Sequence, residues 1–124
     1  QQPVPLPGHS RSVTTLDFSS DGNILVTGSF DSTIRIWNPS AGQFDILQGH
    51  TDGVNELAIS PNDQLIVSCG ADATIRLWRM TDGAELAVID APQRNLRSID
   101  FNANGTLIAT GSPDGTIRLW GISD

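Results

Sequence analysis

The chain has 124 residues, 38% of them hydrophobic and 17% charged, with a formal net charge of −7. That composition fits one folded body and argues against a nucleic-acid partner, because phosphate binding needs a basic stripe and the seven cations here are scattered arginines. No apolar run is long enough to span a bilayer, the first residues lack the basic start and apolar middle of a signal peptide, and a lone cysteine, Cys69, excludes an internal disulfide.

Residues 3–7, PVPLP, place proline at every second position. An edge strand accommodates that pattern, since alternate N–H groups point away from the sheet. The next apolar positions, Val13, Leu16 and Phe18, are spaced three and then two apart, which predicts a strand with one bulged residue near its start. SSDGN then reads as a tight hairpin turn, its Asp-Gly pair suited to positive φ. NILVTGS is a continuous apolar run, as in a strand buried on both faces, and Thr33 to Trp37 alternates with period two. After a turn containing Gly42, FDILQ supplies a fourth strand.

The same order then returns. Val54, Leu57 and Ile59 begin the second unit, SPNDQ turns it, DATIRLW forms its third strand, and LAVID follows a turn at Gly83. Leu96, Ile99 and Phe101, then NANGT and DGTIRLW, make a third unit that stops after three strands. Trp37, Trp78 and Trp120 stand 41 and then 42 residues apart, so the chain is three tandem repeats. The alignment places the one extra residue of the third unit just before Leu96, lengthening the loop that carries Arg94. Residues 1–8 read as the outer strand of a preceding or partner unit, followed by units at 9–48, 49–90 and 91–124. The fold class is all-β, built from antiparallel four-stranded meanders, the third without its outer strand. Cys69 aligns with Gly28 and Gly111 inside a strand and reads as a small buried hydrophobe.

Gly8-His9 and Gly49-His50 near the unit starts, an Asp six residues before each Trp, and four antiparallel strands per unit carry a family likeness. Over its whole length the chain resembles the WD-repeat family of β-propellers. It departs from the family pattern in two ways. The residues after the tryptophans are Asn38, Arg79 and Gly121 instead of Asp, and Asp90-Ala91 stands where the third Gly-His is expected. The resemblance implies a buried network from His to Asp, to a Ser or Thr of the second strand, to the indole. By position the sets are His9, Thr27, Asp31, Trp37 and His50, Ser68, Asp72, Trp78, with Thr110, Asp114 and Trp120 lacking a histidine.

Ser68, His50 and Asp72 also make up the inventory of a hydrolase triad. They recur in the first unit with Thr27 for serine, between core positions, which favours a structural network over a nucleophile. Two histidines in different units lack metal-ligand spacing, the Asp-containing hairpins lack a calcium-loop run, and no cofactor fingerprint is present. The resemblance implies a non-catalytic, cytoplasmic platform that assembles or recruits proteins or peptide segments, with an architectural subunit of a larger complex as the alternative. Family contacts come from the end carrying the lead-in loops. Here those positions are Ser12, Thr14, Gly53, Asn55, Asn95 and Arg97, with Phe30, Ala71 and Pro113 before the aspartates. Phe30 and Arg97 are of hot-spot type, Arg94 lies near Arg97, and the expected partner segment is acidic or mixed apolar and acidic.

Three blades do not comfortably close a ring, since propellers usually have four to eight. With Gln at position 1 and Met80 the only methionine, residue 1 reads as other than a translation start. The expectations are an excerpt of a longer WD-repeat protein, two chains joined head to tail into six blades with each N-terminal strand completing the other's third blade, or an open arc docked on another protein.

Overall fold

The computed structural model describes residues 2–92 and 94–122. Its strands are β1 (Val13–Phe18), β2 (Leu25–Ser29), β3 (Ile34–Asn38), β4 (Gln43–Leu47), β5 (Val54–Ile59), β6 (Leu65–Gly70), β7 (Thr74–Arg79), β8 (Glu85–Asp90), β9 (Ser98–Phe101), β10 (Leu107–Gly111) and β11 (Ile117–Gly121). They form antiparallel sheets in the orders β1-β2-β3-β4, β5-β6-β7-β8 and β9-β10-β11, so each sheet is a meander of sequence neighbours. No helix occurs among the described residues, and none is therefore long and apolar enough to cross a membrane. This is the all-β arrangement of meanders that the repeat pattern predicts and the three propeller blades that the resemblance implies.

Local chemistry explains the ladders. The spacing of apolar residues in the first strands corresponds to register shifts between Val13 and Thr15 and between Val54 and Glu56. At the hairpins, Gly22, Asp63 and Gly105 take positive φ, the conformation a short turn between twisted strands requires.

The register also corrects one alignment. Leu47 lies opposite Ile34 and Ile89 opposite Ile75, while Ile34 and Ile75 lie opposite Gly28 and Cys69. Leu47 and Ile89 are therefore equivalent, and the third Gly-His position falls on Ala91-Pro92, not Asp90-Ala91. The extra residue sits in β8, where the pairing shifts between Leu77 and Trp78. The lead-in loop of the third unit is consequently no longer than the others. Counting from the tryptophan could not find this, because a strand absorbs one residue as a bulge without changing its ends.

Blades bury themselves against each other. One core lies between blades one and two, with Val26, Ile34, Ile36 and Leu47 against Val54, Leu57, Ile59, Ile66 and Trp78. A second lies between blades two and three, with Ala58, Val67, Cys69 and Ile75 against Leu96, Ile99 and Ile108. Side chains stitch the seam: Leu57 N donates to Thr15 Oγ1 (3.2 Å) and Ile59 N to Asp17 Oδ2 (3.1 Å). The two outer faces of the arc are bare. Leu16 is 59% exposed whereas its equivalent Leu57 is 3% exposed, and Ile117 is 76% exposed whereas its equivalent Ile75 is 1% exposed.

Candidate functional site: a buried network beneath the lead-in loops

The loop before β1 and the turn between β2 and β3 meet at one end of blade one, which places His9 beside Asp31. His9 Nδ1 lies 2.9 Å from Asp31 Oδ2, His9 Nε2 lies 2.7 Å from Thr27 Oγ1, and Trp37 Nε1–H donates to the same hydroxyl at 2.8 Å. Blade two repeats the chain: His50 Nδ1 to Asp72 at 2.9 Å, His50 Nε2 to Ser68 Oγ at 2.7 Å, and Trp78 Nε1–H donating to Ser68 Oγ at 3.0 Å. A neutral imidazole protonated on Nδ1 satisfies every link. The ring donates to the carboxylate and accepts from the hydroxyl, which in turn accepts from the indole, a donor only.

The aspartates do more than hold histidine. Asp31 accepts from Ser10 N (3.0 Å), Thr33 N (2.9 Å) and Thr33 Oγ1 (2.6 Å). Asp72 accepts from Thr51 N (3.0 Å), Thr74 N (3.1 Å) and Thr74 Oγ1 (2.8 Å). Burial pushes both carboxyls up, but these donors outweigh it and hold them below the ordinary range. Burial pushes the His50 imidazole down against the opposing pull of Asp72, so the ring is neutral near pH 7. Thr33 and Thr74 are members that position counting missed, although the signal was present. A threonine stands two residues after the aspartate in DST, DAT and DGT, the spacing of a side-chain-to-backbone turn.

Blade three keeps only part of this. Trp120 Nε1–H donates to Thr110 Oγ1 at 3.1 Å. Asp114 is exposed and turned to its own loop, accepting from Ser112 Oγ and from Thr116 N (2.9 Å). The triad geometry of blade two is sealed: Ser68 is fully buried and already accepts the indole proton, so its hydroxyl has no path to a substrate carbonyl. Cys69 is equally enclosed, and burial, with Glu56 nearby, pushes its thiol up to about 12.

Above the networks, the lead-in loops and β2–β3 turns enclose a shallow depression of about 330 Å³. It is lined by Arg11, Phe30, Asp52, Gly53, Asn55, Ala71, Asn95 and Arg97. The fold thus brings together Phe30, Asn55, Asn95 and Arg97 from three blades and adds Arg11, which sequence reasoning passed over because it precedes the repeat position. Phe30 is 45% exposed and rides over Gly53, where a Cβ would come within 2.9 Å of its ring. Ser12 contributes a backbone carbonyl to Phe30 N (3.0 Å), and Arg94 is exposed outside the depression. Thr14 and Asn55 use their side-chain donors on the blade seams: Thr14 Oγ1 to Val54 O (2.5 Å) and Asn55 Nδ2 to Leu96 O (2.7 Å). Arg97 has the same register in blade three and is exposed. Among the described residues Arg11, Arg94 and Arg97 make no ion pair, unlike Arg76 and Arg79.

Meander blades that share cores face to face, two of them with the lead-in loop locked through histidine, aspartate and indole, define a propeller of the repeat type. The family described as "WD domain, G-beta repeat" matches residues 2–38, 43–79 and 83–121, and the chain belongs to this WD-repeat family. Among curated relatives, it is 45% identical over 38 residues to Mitochondrial division protein 1 of Phaeosphaeria nodorum, covering 31% of this chain and 6% of that protein. It is 45% identical over 38 residues to the small ribosomal subunit protein RACK1 of Drosophila melanogaster (31% and 12%). It is 45% identical over 40 residues to Pre-mRNA-processing factor 19 homolog 2 of Arabidopsis thaliana (32% and 8%). Each match is about one repeat long and spans a small part of the relative.

Proposed function

We propose that the chain is a non-catalytic scaffold whose lead-in end recruits a protein segment, acidic or mixed apolar and acidic, without a cofactor and in the cytoplasm. The observation that supports this reading most is the depression itself. On a chain with net charge −7, it combines an exposed Phe30 with Arg11 and Arg97, two arginines free of ion pairs among the described residues. An aromatic face beside guanidinium groups favours a ligand carrying both apolar surface and carboxylates. The networks hold the loops from below, so the surface is presented with little left to order on binding. Further blades, from the same polypeptide or a second copy, complete the assembly at the two bare faces. Membership of the WD-repeat family supports the scaffold reading over an enzymatic one.

An array of peptides varied in acidity and aromatic content tests it. Peptides with both features should bind, and Phe30→Ala and Arg97→Glu should each weaken binding by roughly tenfold or more, about 1.4 kcal/mol, with the melting temperature nearly unchanged. Binding that survives both substitutions, or that responds only to changes at the opposite end around Asp21 and Asn62, refutes the assignment.

A further inference from the structure

Where blades one and two meet beside the β3–β4 and β7–β8 turns, their shared core comes to the surface. Ile24, Ile36, Asn38, Phe44, Asp45 and Met80 line a groove of about 720 Å³ there, and it has no lining residue in common with the lead-in depression. Its floor is apolar: Ile36 belongs to the core between these blades, and Ile24 and Met80 pack partly buried against that core.

The opening has a physical reason in β4. Leu47 and Asp45 stand on the same side of that strand, as partners of Ile34 and Ile36. Leu47 is 5% exposed and fills the seam against Gly83, where a Cβ would meet its Cδ2 at 2.5 Å. Asp45 cannot follow it inward, because burying a carboxylate without a partner costs far more than the apolar contact returns. It stays exposed, and among the described residues it makes no ion pair, unlike Asp72, Asp82 and Glu85. The seam between blades two and three differs at this point. Ala87 stands opposite Leu77 where Asp45 stands opposite Ile36, and Leu77 and Ile122, the equivalents of Ile36 and Met80, pack against the second core. The carboxylate is particular to the first seam.

An aliphatic and thioether floor edged by one unpaired carboxylate calls for a ligand of the matching pattern. Met80 is unbranched and adapts to side chains of different shape, while Asn38 and Thr81 add hydrogen-bonding groups without charge. The volume lies within the range of about 300–1,000 Å³ that ligand sites occupy. The chain's net charge of −7 draws cations toward it. We propose that this groove docks a protein segment in which a bulky aliphatic residue is flanked by lysine or arginine. The aliphatic side chain lies on Ile24, Ile36 and Met80, and the cation faces Asp45. The scaffold then holds two segments of opposite charge at separate sites, and this inference is independent of the partner proposed for the lead-in end.

Met80 is the only methionine, so an isotope-labelled methionine methyl gives a single NMR resonance inside the groove. The probes are the synthetic peptides Ser-Arg-Leu-Arg-Ser, Ser-Glu-Leu-Glu-Ser and Ser-Arg-Ser-Arg-Ser. The first should move the resonance saturably, and loss of the leucine should weaken binding by roughly tenfold or more. Glutamate flanks should weaken it severalfold, and Asp45→Lys, an exposed substitution, should reverse the preference between arginine and glutamate with the melting temperature unchanged. Phe30→Ala and Arg97→Glu should leave the response intact. A resonance that none of the peptides moves, an equal response to arginine and glutamate flanks, or a preference that survives Asp45→Lys overturns the proposal. So does a response abolished by Arg97→Glu, which would move the binding to the depression. A resonance that shifts with protein concentration alone assigns the groove to a second copy of the chain and overturns it as well.

Discussion

Asp72 accepts from four donors with a side chain that is itself almost wholly covered, so its loss exposes the weakness of the buried groups it holds. Asp72→Ala leaves His50 Nδ1–H and the Thr74 amide and hydroxyl without their acceptor, at about 1–3 kcal/mol for each buried group left unsatisfied, while the exposed Thr51 amide turns to water. The melting temperature should fall by several degrees, and a variant that melts like the parent would show the network to be dispensable. Protonation acts on the same groups. The native imidazole of His50 resists protonation below its ordinary value of 6.5, and the native carboxyl of Asp72 resists it below 3.8. In both windows the unfolded chain binds more protons than the native one, so stability rises with pH and is lost on acidification. A thermal-melt series should decline first below about pH 6.5, as the unfolded imidazole charges, and again below about pH 4. Asp72→Ala should diminish the second decline.

At the scale of the element, a blade is a meander whose turns and bulges were written locally, while its strand ends were not. The lead-in loops of all three blades are alike because the extra residue of the third unit is absorbed in β8. That shifts the place where a third histidine would belong. Pro92→His, not Ala91→His, puts an imidazole in line with Thr110 and Asp114, at the separation of 22 residues that joins His9 to Asp31 and His50 to Asp72. Pro92→His should raise the stability of blade three by about 1 kcal/mol, the net worth of a typical buried hydrogen bond, and Ala91→His should not. Proton exchange at Trp120 Nε1 checks the assignment, because completion of the chain should slow it. Equal behaviour of the two variants would return the equivalence to Asp90-Ala91.

For the whole molecule, stability is a sum of blades and the seams between them. Blade two is buried on both faces, whereas blades one and three are each buried on one. Amides of β5 to β7 should exchange slowest and those of β9 to β11 fastest, as fits a blade packed on both faces beside one packed on a single face. Uniform protection across the three blades would mean that the arc opens as one unit and that the seams are stronger than the blades.

Strand order, turn positions and the His, Asp, Ser or Thr and Trp positions of the networks in blades one and two were legible in the sequence because they rest on short-range chemistry that recurs, whereas Asp114, read into a third network, turns to its own loop. Alternation sets which residues face a core, Gly and Asp set the turns, and a donor-only indole must find an acceptor. Thr33 and Thr74 were equally visible in the Asp-x-Thr repeat. Three things waited for the tertiary structure. The position of the extra residue needed the β7–β8 register, since spacing alone cannot tell a bulge from a longer loop. The depression needed packed blades, because Arg11, Phe30, Asn55 and Arg97 are far apart in the chain and meet only where three lead-in ends converge. The roles of Thr14 and Asn55 changed from free surface to blade seam for the same reason: a side chain's partner in a repeat protein is supplied by the next repeat, and only packing shows which repeat that is.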